Sequence, residues 1–560
     1  MTMGSLRAAL LGGILHGLAL LPPLPGVGPA ADSVLRFLLV VSGLLLVAHG
    51  VRVASDGLEA ARAGLALGGG FSFVALHWVP SAAEPWFGVV GGGVAGVVVW
   101  SFHAVLAAAV MGLMARCRRG LPFPLVFGSG WVLLEWLPGA IPLVHLPRPE
   151  LASLLVDSES VLAPASWVGG VALLGIWAAC LAALVEWVAR PGGLRGGAAS
   201  AADRGAATDP PGPAPSVPGT AKATTGILVA SLLILVSTAG WDRFSATSGR
   251  SGGHLEDPGG GTTVAPAVPD TSNVLVVARI PLSREALSDP ERRRAELTRG
   301  VGVAPADVWP ETLLPDAGVQ PGGATPGLWP VAGMRWESGR ARYNALARVL
   351  PDDSTVLLHR KVRLVPGVER TRLLRPGIGE GRGLAPGPSP TAFELGGRRV
   401  GGLICFEFLF PGVVAAQRRD GATLLVHAAN DAMLTGGGWW PMVPGVAMDQ
   451  QDRMLRLRAV EYRVPIVRST LVGGSGVGGA RSGRTRAQDA GAWDGRGRPV
   501  PMQPVPATGR ERLQVELPEA APPPPATWLA RFPAPLAGIL LATALLRARR
   551  PSRMGNDGVD

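Results

Sequence analysis

The chain has 560 residues, of which 48% are hydrophobic and only 17% are charged, and its mean hydropathy is +0.30. Because a soluble globular protein carries roughly 25% charged residues, this composition excludes a wholly water-exposed chain. The net charge of +11 does not indicate nucleic-acid binding. Many arginines flank apolar runs, where they set membrane topology, and the sequence has no zinc-ligand spacing or aromatic-basic motif.

Long apolar runs fill the first part of the chain and return near its end. About 20 mostly apolar residues are needed to cross the hydrocarbon core of a bilayer. We therefore predict about eight spans, the first of them a helix that is retained rather than a cleaved signal peptide. The predicted spans are Ala8–Leu24, Val34–Val51, Ala61–Val79, Trp86–Ala115, Leu121–Leu137, Leu162–Ala189, Thr225–Trp241 and Trp528–Leu546.

Arginine is unevenly distributed among the loops between these runs. Arg52 and Arg62 flank one short loop, Arg116 and Arg118 lie in another, and further arginines follow Arg190. The alternate loops contain few basic residues. By the positive-inside rule the arginine-rich loops and the C-terminal tail are cytoplasmic, so the large polar segment before the last span is expected to face outward.

Composition divides the chain into six predicted segments. They are an N-terminal membrane domain (1–242), a linker (243–271), a polar domain (272–519), a proline-rich linker (520–527), a C-terminal transmembrane helix (528–547) and a cytoplasmic tail (548–560). In the polar domain, short apolar runs alternate with amphipathic stretches, which predicts an α/β sandwich. The predicted strands are Ser272–Ala278, Ser354–Leu358, Val400–Ile404, Ala422–His427 and Pro465–Thr470, and the predicted helices are Ser283–Arg299 and Met448–Tyr462.

Three polar segments at the ends of apolar runs carry the reactive side chains Glu311, Lys361 and Cys405. A thiol needs a base at neutral pH, which Glu311 can supply, and the Lys361 ammonium can stabilise an oxyanion together with the Phe406 N–H. Taken singly, each residue has an ordinary structural reading. A glutamate after proline is typical of a helix start, a lysine among arginines of a solvated face, and a lone cysteine of a buried apolar group.

Several motifs occur in one order along the chain: Trp309–Thr312 (WPET), Lys361–Glu369 (KVRLVPGVE), Leu403–Glu407 (LICFE) and Arg458–Thr470 (RAVEYRVPIVRST). This ordered set resembles the apolipoprotein N-acyltransferase family of the nitrilase superfamily. The resemblance implies a multi-span α-helical membrane domain plus an α/β nitrilase-like (αββα sandwich) extracytoplasmic domain. It also implies Glu311, Lys361 and Cys405 as the catalytic triad, with Glu369 and Glu407 as supporting residues.

The resemblance implies transfer of a fatty acyl chain from a phospholipid, through a thioester on Cys405, to the α-amino group of a diacylglyceryl-cysteine on a lipoprotein. The location it implies is the bacterial cytoplasmic membrane, with no metal, organic cofactor or nucleic-acid partner. Departures from the family pattern occur at Phe406, at Met433-Leu434-Thr435 and at Leu471-Val472. Two alternatives remain open: a membrane-tethered amidase of the nitrilase type, and a non-catalytic relative that binds lipid or lipoprotein.

Overall fold

The computed structural model describes a helical part and an α/β part. The described residues are 3–24, 26–141, 146–189, 274–282, 289–301, 306–311, 330–339, 341–350, 352, 354–370, 383–434, 443, 445–473, 491–504 and 512–549. The predicted span Thr225–Trp241, the whole linker 243–271 and most of the tail 548–560 lie outside them. The predicted domain boundaries therefore stay predictions.

Apolar helices lie at both ends of the described chain. Their bounds are Met3–Ala19, Pro29–Val53, Gly57–Ala75, Val79–Cys117, Phe123–Ala140, Gly170–Val188 and Pro533–Arg549. One buried apolar cluster contains Leu44, Phe71 and Trp131 from the N-terminal helices and Leu541 from the C-terminal one. The two ends of the chain therefore pack into a single bundle.

Three helices in the described part are long and apolar enough to cross a membrane, namely Ala31–Val53, Val79–Cys117 and Gly170–Val188, and Pro533–Ala548 is apolar but shorter. By length and composition, the described residues therefore support fewer spans than the predicted number of about eight. One reason is length: Met3–Ala19 has only 17 residues.

The predicted spans differ from the observed helices in their bounds, and in two of them a glycine interrupts the helix. The predicted Leu162–Ala189 span holds a short helix, Ala165–Val168, and the long helix Gly170–Val188, and Gly169 separates them because its φ of 84° breaks the helical path. The predicted Trp86–Ala115 span is part of the longer helix Val79–Cys117, which is interrupted at Gly88 (φ 71°, ψ 176°).

Glycine permits close contact between two of the membrane helices. A Cβ added at Gly64 would lie 2.5 Å from Ala107 O, and one added at Gly68 would lie 2.6 Å from Ala104 Cα. Small residues four apart let helix backbones approach each other in a bilayer, where packing replaces the hydrophobic effect. The two helices that carry these residues therefore pack backbone against backbone.

Two sheets form the α/β part. The strands are β1 Val274–Leu282, β2 Val331–Ser338, β3 Ala341–Val349, β4 Thr355–Arg360, β5 Ala392–Leu395, β6 Arg398–Ile404, β7 Leu424–Asn430, β8 Ile466–Gly473, β9 Ala492–Trp493, β10 Met502–Pro504 and β11 Arg512–Glu516. The larger sheet has the order β10-β11-β1-β8-β7-β6-β5, with β9 beside β8. Strands β1, β8, β7 and β6 are parallel, and β2, β3 and β4 form an antiparallel sheet.

The two sheets pack face to face, with helices outside. Gly402 in β6 allows this approach, since an added Cβ would lie 2.7 Å from Leu346 Cδ1 in β3. The helices Pro411–Arg419 and Val446–Tyr462 cover the other face of the larger sheet, and the helix Pro290–Val301 packs near β1. The predicted combination of a helical membrane part with an α/β nitrilase-like sandwich is confirmed.

Candidate active site

Cys405 lies at a sharp turn between a strand and a helix. It directly follows β6 and begins the 3₁₀ helix Cys405–Leu409. Its φ of 51° is in the left-handed region, which side chains other than glycine adopt only at a cost of about 1–3 kcal/mol. His427 Nε2 lies 2.7 Å from the carbonyl oxygen of Cys405 and holds this turn from β7. The turn presents the thiol at the carboxyl end of a parallel strand.

Glu311 is buried near the same end of the sheet. It follows Val308, which bridges β1 and β2 through Val277 and Val331. Glu311 Oε2 accepts a hydrogen bond from the main-chain N–H of Asn430 over 3.0 Å. The carboxylate is therefore fixed by the last residue of β7.

Lys361 comes immediately after β4, and its side chain is completely buried. Its main-chain N–H donates to Asn344 O over 2.8 Å, which sets the two side chains beside each other. Lys361 Nζ lies 3.3 Å from Glu311 Oε1 and 3.0 Å from Glu369. Asn344 Nδ2 donates to the same two carboxylates, over 2.6 Å and 2.8 Å. An ammonium and an amide are thus shared between two acids.

Glu407 joins the cysteine turn to the lysine loop. Its Oε1 accepts from Val362 N over 2.6 Å, and its Oε2 accepts from Ile404 N over 2.9 Å. His359 Nε2 lies 3.0 Å from Oε2. The sequence predicts that Glu369 and Glu407 both orient Lys361. Glu369 contacts the ammonium, whereas Glu407 holds the main chain next to it.

Burial and neighbouring charges shift the pKa values of the three central groups. Burial raises the pKa of Glu311. Burial, reinforced by the charge of Glu311, raises the pKa of the Cys405 thiol well above its usual range, while Lys361 opposes this shift. Burial disfavours the Lys361 ammonium, but the neighbouring acidic groups of Cys405, Glu311 and Glu369 outweigh it and raise the lysine pKa. A thiol with a raised pKa is protonated at neutral pH, so nucleophilic chemistry at Cys405 requires a neighbouring base such as Glu311.

The structure brings together Glu311, Lys361, Cys405 and Glu369, all of which are candidates from the sequence. Two further contributors, Asn344 and His359, have no role assigned by sequence reasoning. The signal for Asn344 is its position directly before the buried apolar stretch Ala345–Ala347 of β3, because a buried amide needs partners. Among the described residues, no group of three or more His, Cys, Asp or Glu side chains is arranged to hold a metal ion.

Residues 327–492 match the carbon-nitrogen hydrolase family. The matched range contains Lys361, Glu369, Cys405 and Glu407, and Glu311 precedes it. Together with the sandwich fold and the buried acid, amine and thiol, this match identifies a carbon-nitrogen hydrolase domain in the α/β part of the chain.

Curated proteins similar to this chain include two apolipoprotein N-acyltransferases. The chain is 38% identical over 111 residues to the apolipoprotein N-acyltransferase of Geobacter metallireducens, and the matched stretch covers 20% of this chain and 19% of that protein. It is 30% identical over 161 residues to apolipoprotein N-acyltransferase 2 of Treponema pallidum, which covers 26% and 27%. An omega-amidase of Danio rerio is 32% identical over 120 residues, covering 20% and 41%. The resemblance to the apolipoprotein N-acyltransferases is confirmed. Together with the helices that are long and apolar enough to cross a membrane, it indicates an integral membrane protein.

The matches to these relatives are partial: they span between 19% and 41% of the relatives' lengths. Similar solved structures include an amidase of the nitrilase superfamily from Nesterenkonia, which is 16% identical with a TM-score of 0.28 and covers 47% of this chain and 96% of that one. Another is a carbon-nitrogen hydrolase from Helicobacter pylori, which is 13% identical with a TM-score of 0.25 and covers 47% and 72%.

Proposed function

We propose that the chain is an apolipoprotein N-acyltransferase, which moves a fatty acyl chain from a phospholipid to the α-amino group of diacylglyceryl-cysteine on a lipoprotein. The observation that carries the proposal is the buried Glu311–Lys361 pair, whose charges act on Cys405, in a domain packed on apolar helices. Glu311, Lys361 and Cys405 are the proposed catalytic residues. Glu369 and Glu407 support them by the contacts described above.

The first half-reaction loads the cysteine. Glu311 takes the proton from Cys405 Sγ, and the thiolate attacks the ester carbonyl carbon of the phospholipid. When the tetrahedral intermediate collapses, the carbon–oxygen bond breaks and Glu311 passes the proton to the departing glycerol oxygen. The products are an acyl-thioester on Cys405 and a lysophospholipid.

The second half-reaction transfers the acyl group from Cys405 to the acceptor. The α-amino nitrogen of the acceptor attacks the thioester carbonyl, and Glu311 accepts the proton that the nitrogen loses. The carbon–sulfur bond then breaks and the proton returns to Sγ. The products are an amide on the lipoprotein and the free thiol, so Glu311 is in its starting state after each full cycle.

Both tetrahedral intermediates carry a negative oxygen. The Lys361 ammonium is fixed by two carboxylates, so it does not have to reorganise as this charge develops. The main-chain N–H of Phe406 is the proposed second donor. Phe406 is the second residue of its 3₁₀ helix, where N–H groups have no partner within the helix.

A membrane location suits these substrates, because the acyl chains of donor and acceptor both lie in the bilayer. The arginine-rich loops favour a catalytic domain on the outer side of the bacterial cytoplasmic membrane and a cytoplasmic tail. Large apolar side chains such as Leu536, Ile539 and Leu546 are exposed on the C-terminal helix, as expected for a surface in contact with lipid.

Amide hydrolysis is the second candidate, favoured by the similarity to an omega-amidase. The same three residues would serve it, with water replacing the amine in the second half-reaction. The apolar helices favour the transferase, because a soluble amide substrate gives them no role beyond anchoring the chain.

Intact-mass spectrometry tests the proposal directly. The purified full chain is incubated with vesicles of a phospholipid of defined acyl chains, beside the Cys405→Ala variant. We expect one fatty-acyl mass on the wild type, none on the variant, and an equivalent of lysophospholipid. Adding a diacylglyceryl lipopeptide should remove the adduct and increase the peptide mass by one acyl group. Absence of an adduct with every phospholipid, or release of free fatty acid only, would overturn the transferase proposal.

A further inference from the structure

The helix Val446–Tyr462 connects the α/β part to the membrane part. Gln450 Nε2 donates to Ala75 O over 2.8 Å, and Arg456 Nη1 lies 2.6 Å from Asp157 Oδ1. Several side chains of this one helix therefore reach across the boundary.

Arg458 makes the most buried of these connections, and it also reaches the cysteine turn. Its Nε donates to Phe408 O over 2.9 Å, and Phe408 lies in the 3₁₀ helix that begins at Cys405. Its two terminal nitrogens bind Glu461 and Glu150. One fully buried guanidinium thus links the nucleophile turn to a carboxylate on the membrane side of the boundary.

Glu150 belongs to the segment between two membrane helices, and it is 4% exposed. Glu461, the other partner of Arg458, also crosses the boundary, because its Oε1 accepts from Gly170 N over 2.5 Å. A buried arginine is held in place by its counter-ions, and removing one leaves its charge partly uncompensated. Without the charge of Glu150, Arg458 would be drawn toward Glu461 and away from Phe408 O.

We propose that Glu150 is a positioning residue, which aligns the Cys405 turn through Arg458. Contact between the α/β part and the membrane part then also aligns Cys405. The role assumes the acyl transfer proposed above, but the position of the thiol can be measured without an acyl donor.

Two variants, each of which replaces a carboxylate by the corresponding amide, distinguish alignment of the Cys405 turn from contact between the α/β part and the membrane part. Glu150→Gln removes the charge that holds Arg458. Asp157→Asn removes another carboxylate on the membrane side, whose partners Arg453 and Arg456 lie on the same helix. Arg453 also contacts Asp449, and Arg456 donates to Gly497 O. Both are prepared as full chains in detergent, beside the wild type.

Three readouts are compared: thermal stability, the rate constant and KM of acyl-thioester formation, and the pH profile of Cys405 alkylation by iodoacetamide. For Glu150→Gln we expect the rate constant to fall at least about tenfold at unchanged KM, since small misplacements of a reacting group are costly. The alkylation profile should also move, because the distances to Glu311 and Lys361 set the thiol pKa. Asp157→Asn should keep the wild-type rate constant and profile.

The proposal is overturned if a folded Glu150→Gln chain keeps both the wild-type rate constant and the wild-type profile, or if Asp157→Asn loses as much. If Glu150→Gln does not fold, Glu150→Asp takes its place. It keeps the charge but is shorter by one methylene group, and it should change both readouts in the same direction. If the wild type forms no thioester, the proposed function fails by itself, and the alkylation profiles still decide the role of Glu150.

Discussion

Asn344 donates a 2.6 Å hydrogen bond from Nδ2 to Oε1 of Glu311, and both side chains are buried. This bond favours the ionised carboxylate, so it lowers the pKa of Glu311 against the larger raising effect of burial. A neutral amide therefore limits how far the proposed base is shifted. The same Nδ2 also donates to Glu369, so one amide bridges the two acids.

Replacing Asn344 should change the pH dependence of the reaction. Asn344→Leu removes the donor, so the pKa of Glu311 should rise further and the base should be protonated at higher pH. We expect the acidic limb of the profile of kcat/KM for thioester formation to move to higher pH. Rates measured across the acid range, with Tyr343→Phe as a control in the same strand, test this. An unmoved acidic limb would contradict the assignment of Glu311 as the base.

Glu311→Gln should separate thiol reactivity from catalysis. The negative charge of Glu311 raises the pKa of Cys405, so its removal should lower that pKa and increase the thiolate fraction at a given pH. We expect faster alkylation of Cys405 by iodoacetamide, together with loss of acyl-thioester formation because the base is gone. Peptide mapping beside Cys405→Ala assigns the label. Slower alkylation in Glu311→Gln would show that the carboxylate activates the thiol toward this reagent too.

The sequence alone predicts much of the fold and of the site. The runs that predict β1, β6 and β7 are mostly apolar because parallel central strands are buried on both faces. Apolar patterning does not predict β2 or β3, since they carry Arg335, Glu337 and Arg342 and lie partly in water, and only the resemblance places a strand at Tyr343–Ala345. Their pairing is set by contacts distant in sequence, which no local pattern records.

In the candidate site, too, some residues can be selected from the local sequence and others only from the fold. Glu311, Lys361 and Cys405 are reactive types within motifs, so order along the chain is enough to select them. The roles of Asn344 and His359 depend on which strand lies beside which. The separate tasks of Glu369 and Glu407 likewise require the geometry, because both are glutamates a few residues from a catalytic candidate.

Removing the Lys361 charge should destabilise the domain. Lys361 is buried between Glu311 and Glu369, so Lys361→Met leaves two carboxylates without their shared cation. Breaking a buried ion pair by removing one partner typically costs roughly 3–5 kcal/mol. We expect a lower melting temperature, partly recovered in the Lys361→Met, Glu369→Gln double variant, which removes one of the uncompensated acids. Thermal unfolding of the full chain in detergent measures this, and a double variant less stable than the single one would contradict the arrangement.

Changing the side chain of Phe406 tests the proposed oxyanion site, because the rate of acyl-thioester formation should change little. Its ring packs edge-to-face on Phe410, with centroids 5.2 Å apart, while the proposed donor is its main-chain N–H. Phe406→Leu keeps that N–H, and Phe406→Tyr adds a hydroxyl without removing the ring. We expect both variants to form the acyl-thioester within about threefold of the wild-type rate, whereas loss of an oxyanion donor typically costs roughly 10²–10³-fold. Single-turnover rates beside Lys361→Met make the comparison. A loss in Phe406→Leu as large as in Lys361→Met would mean that the aromatic ring, rather than the main chain, positions the reacting carbonyl.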